Sequence, residues 1–145
     1  MSIKTLGAAA AGAALLALGA AGAASAHHSF AAEFDSTKPV KIEGTVMKFE
    51  WVNPHSWIHL MAPDPKQGGK VVEWKVEGGA PSALLRRGWN RNSLPKGTKI
   101  IVTAYRARDG AARASAAEIS FPDGQTLSLG NPQTEAAVAA AKRAE

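Results

Sequence analysis

Beyond an apolar leader, apolar and polar residues alternate with the period of two that marks half-buried strands, and Gly, Pro, Asn and Asp interrupt the pattern at short intervals. Residues 40 to 52 (VKIEGTVMKFEWV) are rich in β-formers in two registers, with Val40 and Ile42 before Gly44 and Met47, Phe49 and Trp51 after it. The phase change predicts a bulge or coil near Gly44 in a long first strand. Asn53-Pro54 ends that strand, because proline cannot donate to a ladder and restricts the residue before it. A second strand is expected over residues 55 to 61, with Ser56, Ile58 and Leu60 on one face and His55, Trp57, His59 and Met61 on the other. Residues 62 to 69 (APDPKQGG) read as a loop, and residues 70 to 76 as a third strand with Val72, Trp74 and Val76 inward.

Between Gly78 and Gly88 the period changes. Pro81 suits a first helical turn, Ala83, Leu84 and Leu85 favour helix, and Gly88 suits the left-handed terminus, so a helix of about two turns is predicted. Pro95-Lys96-Gly97 is a turn, residues 98 to 105 are the most strand-like run in the chain, and Arg108-Asp109-Gly110 turns into a further strand at 112 to 121. Pro122-Asp123-Gly124 closes one more hairpin into residues 125 to 129. The order β-β-β-α-β-β, with its interrupted first strand, defines an all-β class with one short helix and predicts an OB-like five-stranded small barrel. Residues 27 to 38 lack periodicity and read as an extended arm. Residues 131 to 145 are Ala-rich without an apolar stripe, and read as a flexible or weakly helical tail.

The leader sets the compartment. Lys4 precedes a Leu/Ala/Gly stretch from residue 6 to about 23, and Ala24-Ser25-Ala26 supplies the small-x-small site that signal peptidase cuts. Residues 1 to 26 are therefore expected to leave as a signal peptide, delivering residues 27 to 130 as one periplasmic or secreted domain with its arm, followed by the tail. The stretch runs straight into His-His-Ser with no basic stop-transfer flank, which argues against a retained membrane span. With no cysteine there is no disulfide framework, thiolate metal site or Cys nucleophile. The net charge of +5, with cations gathered between Arg86 and Arg113, fits either an anionic partner or a solvated surface.

Several strings together resemble a family of small, secreted bacterial proteins of unknown function: HHSF at 27 to 30, EFD at 33 to 35, GTV at 44 to 46, WVNPH at 51 to 55, LLRRGW at 84 to 89 and PKG at 95 to 97. The resemblance spans nearly all of the chain after residue 26. It implies a periplasmic, single-domain, barrel-like protein and assigns no chemistry.

The histidines fall into two clusters, His27-His28 and His55/His59. Cleavage after Ala26 would give His27 a free α-amino group, which with its own imidazole chelates a metal, and a further histidine completes the arrangement copper(II) favours. The candidate metal set is thus His27, His28, His55 and His59, with copper ahead of zinc; the alternative is a polar terminus and histidines that serve the turn. A softer copper(I) face combines Met47, Trp57, His59 and Met61, unless Trp57 and Met61 are core. A docking surface of Arg86, Arg87, Trp89 and Arg91 would instead suit an envelope protein, a glycan or a lipid, making the chain an interaction module without metal. Export argues against nucleic acid despite the Trp and Arg content. No HExxH helix, Gly-x-Ser-x-Gly elbow or phosphate-cradling glycine loop occurs, so a non-enzymatic binding protein is expected.

Overall fold

The computed structural model of the chain describes residues 30–144. The expected signal peptide at residues 1 to 26, and with it His27 and His28, lies outside the described residues. The described residues from Glu33 on form one compact unit, and that unit carries the strands.

Among the described residues this unit holds six strands and two α-helices, with a 3-10 turn at Pro65–Gln67: β1 (Phe34–Glu50), β2 (Trp57–Asp64), β3 (Lys70–Glu77), α1 (Pro81–Leu85), β4 (Lys99–Ala107), β5 (Arg113–Ser120), β6 (Thr126–Ser128) and α2 (Pro132–Ala144). The mostly β class with a short helix after the third strand is as the pattern predicts. All neighbouring pairs in the order β3-β2-β1-β4-β5-β6 are antiparallel, and β3 also pairs in parallel with β5 through Lys75↔Arg113, Val76↔Ala114 and Glu77↔Ser115. The pairings β1-β2-β3-β5-β4 thereby return to β1.

One long strand makes this possible. The first half of β1 pairs with β4, from Phe34↔Ala107 to Thr45↔Lys99, and the second half pairs with β2, from Thr45↔Met61 to Glu50↔Trp57. The expected bulge near Gly44 falls three residues on: the register slips between Val46 and Lys48, so Met47 is the extra residue. Ile42 and Val46 are buried in phase, and the bulge brings Phe49 opposite the buried Ile58. Gly44 serves another purpose, since a Cβ there would lie 2.3 Å from the Met61 carbonyl oxygen and 2.8 Å from Ala62 Cβ. A side chain would push β1 and β2 apart where they cross most closely.

Two expected irregular segments are strand. The arm before Pro39 joins β1 at Phe34, held by pairing to the end of β4 and by Arg108 N–H donating to the Glu33 carbonyl. β2 also runs on to Asp64 through Pro63; beyond Met61 it pairs only with β3, an edge that tolerates a residue without N–H. Inside sit Ile42, Val46, Ile58, Leu60, Trp74, Val76, Ile100, Val102 and Ile119, each nearly inaccessible to water. Leu84 of α1 and Leu129 after β6 close one end of this core. Ser56 ties that end to the β1–β2 turn: its backbone N–H and its hydroxyl both donate to the Gly79 carbonyl, and Gly79 N–H donates to the Leu129 carbonyl.

Candidate functional site

Strand alternation puts two kinds of polar group in different surroundings. On the outer face of β2, residues 57, 59 and 61 alternate with the buried Ile58 and Leu60, and Trp57, His59 and Met61 are half-buried rather than core. On β3 the outward residues are Glu73, Lys75 and Glu77, alternating with the buried Trp74 and Val76. Antiparallel register brings these two outer rows side by side, so both described histidines meet carboxylates.

His55 follows the cis Asn53-Pro54 bond and reaches across to the end of β3. Its Nδ1 lies 3.1 Å from Glu77 Oε1 and 3.4 Å from the Gly78 carbonyl oxygen. Both neighbours accept hydrogen bonds, so Nδ1 is the ring nitrogen placed to donate, and Nε2 faces neither of them. Glu77 is largely buried; desolvation raises its pKa above the ordinary carboxylate value, opposed by His55 and by a hydrogen bond from Asn131. The Asn131 side-chain oxygen meanwhile accepts from the backbone N–H groups of Gln133 and Thr134, capping α2. A single chain of contacts therefore runs from the β1–β2 turn through β3 to the start of α2.

His59 is more fully engaged. Its Nδ1 is 2.6 Å from Glu73 Oε1 and its Nε2 is 3.5 Å from Glu50 Oε1, and Lys48 pairs with Glu50 from the neighbouring strand. The hydrogen bond with His59 lowers the pKa of Glu73, and that from Lys48 lowers the pKa of Glu50. With carboxylates on both ring nitrogens, His59 is committed to a surface ion network. Met47 is exposed at the bulge, and Met61 is half-buried on the outer face. Among the described residues no group of three or more His, Cys, Asp or Glu is arranged to hold a metal ion.

The Arg and Trp candidates separate. Trp89 is buried, with its indole Nε1 donating to the Ser128 carbonyl at 3.0 Å, and so offers nothing to an exposed docking face. Arg87 donates to the Ser128 hydroxyl and the Gly130 carbonyl and pairs with Glu135 at 2.6 Å, which fastens α2 to the loop after α1. Arg86 and Arg91 are exposed.

At the far end of β2 lies a group that the charge pattern alone does not reveal. Asp64 is fully buried and takes a bidentate pair from Arg106, at 2.6 Å to Nη1 and 2.8 Å to Nη2. Lys66 N–H and the Gln67 amide also donate to Asp64, and Arg106 donates to the Gly110 carbonyl. The Arg106 guanidinium stacks 4.6 Å above the Trp74 ring. These bonds, led by those from Arg106, hold the Asp64 carboxyl well below the usual carboxylate range despite its burial. The signal was present in the phase: Asp64 continues the buried series Ile58, Leu60, Ala62, and Arg106 continues Val102, Ala104. Charges in phase with core positions are expected to find each other.

The fold and this site together define a small β domain carrying histidine–carboxylate pairs on one sheet face and a buried Asp–Arg pair at one end. The chain belongs to the family of unknown function DUF6152, whose model matches residues 14–116. No curated protein matches the chain. No solved structure matches it. No helix among the described residues is long and apolar enough to cross a membrane.

Proposed function

We propose that the chain is a periplasmic or secreted, non-enzymatic binding protein built on an OB-type five-stranded barrel, and that it takes a transition metal, copper ahead of zinc. Support for the barrel comes from the ring of pairings with its parallel β3–β5 contact and from a helix between β3 and β4. Support for export is the leader ending in Ala24-Ser25-Ala26.

One observation carries the metal reading. The Nδ1 of His55 is held by Glu77 and the Gly78 carbonyl, which leaves Nε2 as the available nitrogen. A carboxylate on the far ring nitrogen is the outer partner that metal-bound histidines use to fix their tautomer and raise their basicity. In this reading His55 completes a set begun by the amino group and imidazole of His27, with His28 beside it. His59 serves the sheet surface, because both of its nitrogens already face carboxylates. The envelope docking alternative loses its aromatic anchor with the burial of Trp89.

The test is a copper(II) titration of the protein beginning at His27, beside one with a single residue added before His27 and a His55→Gln variant. Both changes should weaken binding by more than the roughly 10–100-fold that loss of an outer-shell partner costs. Equal, weak binding by all three proteins would overturn the proposal.

A further inference from the structure

The end of the domain that holds Asp64 and Arg106 also holds a groove. A space of about 420 Å³ has Val40, Ile42, Pro63 and Trp74 on its walls and Lys66 and Arg106 at its margin. A second space of about 230 Å³ adjoins it, sharing Val40, Lys66 and Arg106 and adding Lys38 and Arg108. One chamber is thus largely apolar and the other is cationic, and Val40, Lys66 and Arg106 line both. The carboxylates facing them are Glu43 in the larger, Asp35 in the smaller and Asp64 behind Arg106. Asp64 neutralises Arg106, and Lys38 and Lys66 together outnumber Asp35, so the smaller chamber is positive.

Among the described residues three buried side-chain polar atoms have no hydrogen-bond partner, and two of them, Trp74 Nε1 and Arg106 Nε, belong to residues that line the larger chamber. Unsatisfied buried donors are rare in native domains and mark places where an acceptor is missing.

We infer that the two chambers form a binding site for a small amphipathic carboxylate, its apolar body lying along Val40 and Pro63 and its anionic head facing Lys66 and Lys38. Apolar walls with a few convergent charged groups are what such ligands require, and the larger chamber alone falls within the ordinary size of small-molecule pockets. A neutral amphiphile would leave the cationic chamber without its partner, and a cationic one would be repelled by it. The site lies at the Asp64 end of β2, away from His55, and does not depend on the metal reading.

Titration calorimetry with decanoate, decanol and decyltrimethylammonium, all below micelle formation, tests this. Decanoate should bind at least tenfold more tightly than the other two, and Lys66→Glu should remove that preference while leaving the circular dichroism unchanged. Lys66 is exposed and its ammonium holds no part of the fold together, and Lys38→Glu provides an independent second variant. His55→Gln should leave decanoate binding unaltered. Equal binding of the three amphiphiles, no decanoate binding, or binding only to phosphatidylglycerol vesicles would each overturn the inference.

Discussion

Replacing Asp64 by alanine should be among the most damaging single changes to this domain. Asp64 accepts two bonds from Arg106, one from Lys66 N–H and one from the Gln67 amide, and it is fully shielded from water. Its removal strands a guanidinium that is itself buried. Breaking a buried ion pair from one side costs about 3–5 kcal/mol, chiefly through the uncompensated charge that remains. For a domain of this size that lowers the thermal midpoint by on the order of 15–25 °C, against a total stability of about 5–15 kcal/mol. Urea unfolding followed by tryptophan fluorescence measures the change, with an unaltered slope confirming that the denatured state is the same. Adding Arg106→Met to Asp64→Ala removes the stranded charge and should restore most of the loss, because an apolar replacement for a buried pair is often neutral. A cost below about 1 kcal/mol, the value of an exposed ion pair, would refute the reasoning. So would strictly additive effects of the two substitutions, since groups in direct contact must couple.

The same carboxylate sets an acid limit. Because Arg106 holds Asp64 below its unfolded value of about 4, the unfolded chain binds more protons in acid, and the stabilisation from this pair is complete above that pH and lost as the pH falls toward the folded value. Urea midpoints measured from pH 7 downward should decline less steeply below pH about 4 in the double variant than in the parent. Gly44→Ala should cost about 2–3 kcal/mol in the same assay, as its Cβ meets the Met61 carbonyl at 2.3 Å and neither strand is free to retreat; a cost near zero would show that β1 and β2 approach less closely than described.

How much of this was legible depends on whether a residue's role is local or set by a partner strand. The runs at 70 to 76, 98 to 105 and 112 to 121 became β3, β4 and β5 with small changes at their ends, because each carries its own alternation and is bounded by its own turn residues. The first residues of β1 have no such pattern. They are strand because the last residues of β4 pair with them, a contact between positions as distant as Phe34 and Ala107. The bulge expected near Gly44 lies at Met47, while Gly44 itself marks a close approach. A glycine marks both bulges and close approaches, and only the position of Met61 distinguishes the two here.

The site residues divide along the same line, and the division explains why His55 and Asp64 differ in visibility. A histidine after Asn-Pro is conspicuous by type, yet its partner is Glu77, twenty-two positions on, which reads as an ordinary outward residue of β3 until β2 lies beside it. Asp64 and Arg106 read as a loop residue and one of several cations, although each stands in phase with buried neighbours. Phase is the more dependable signal, because burying a charge without a partner costs far more than any surface pairing gains. An inward position occupied by Asp therefore demands an inward Arg or Lys elsewhere in the same core. In this chain Arg106, two residues after the inward Ala104 on a strand with otherwise apolar inward positions, is placed to meet that demand. The pair closes the end of the domain opposite α1 and leaves Trp74 beneath it as the floor of the groove.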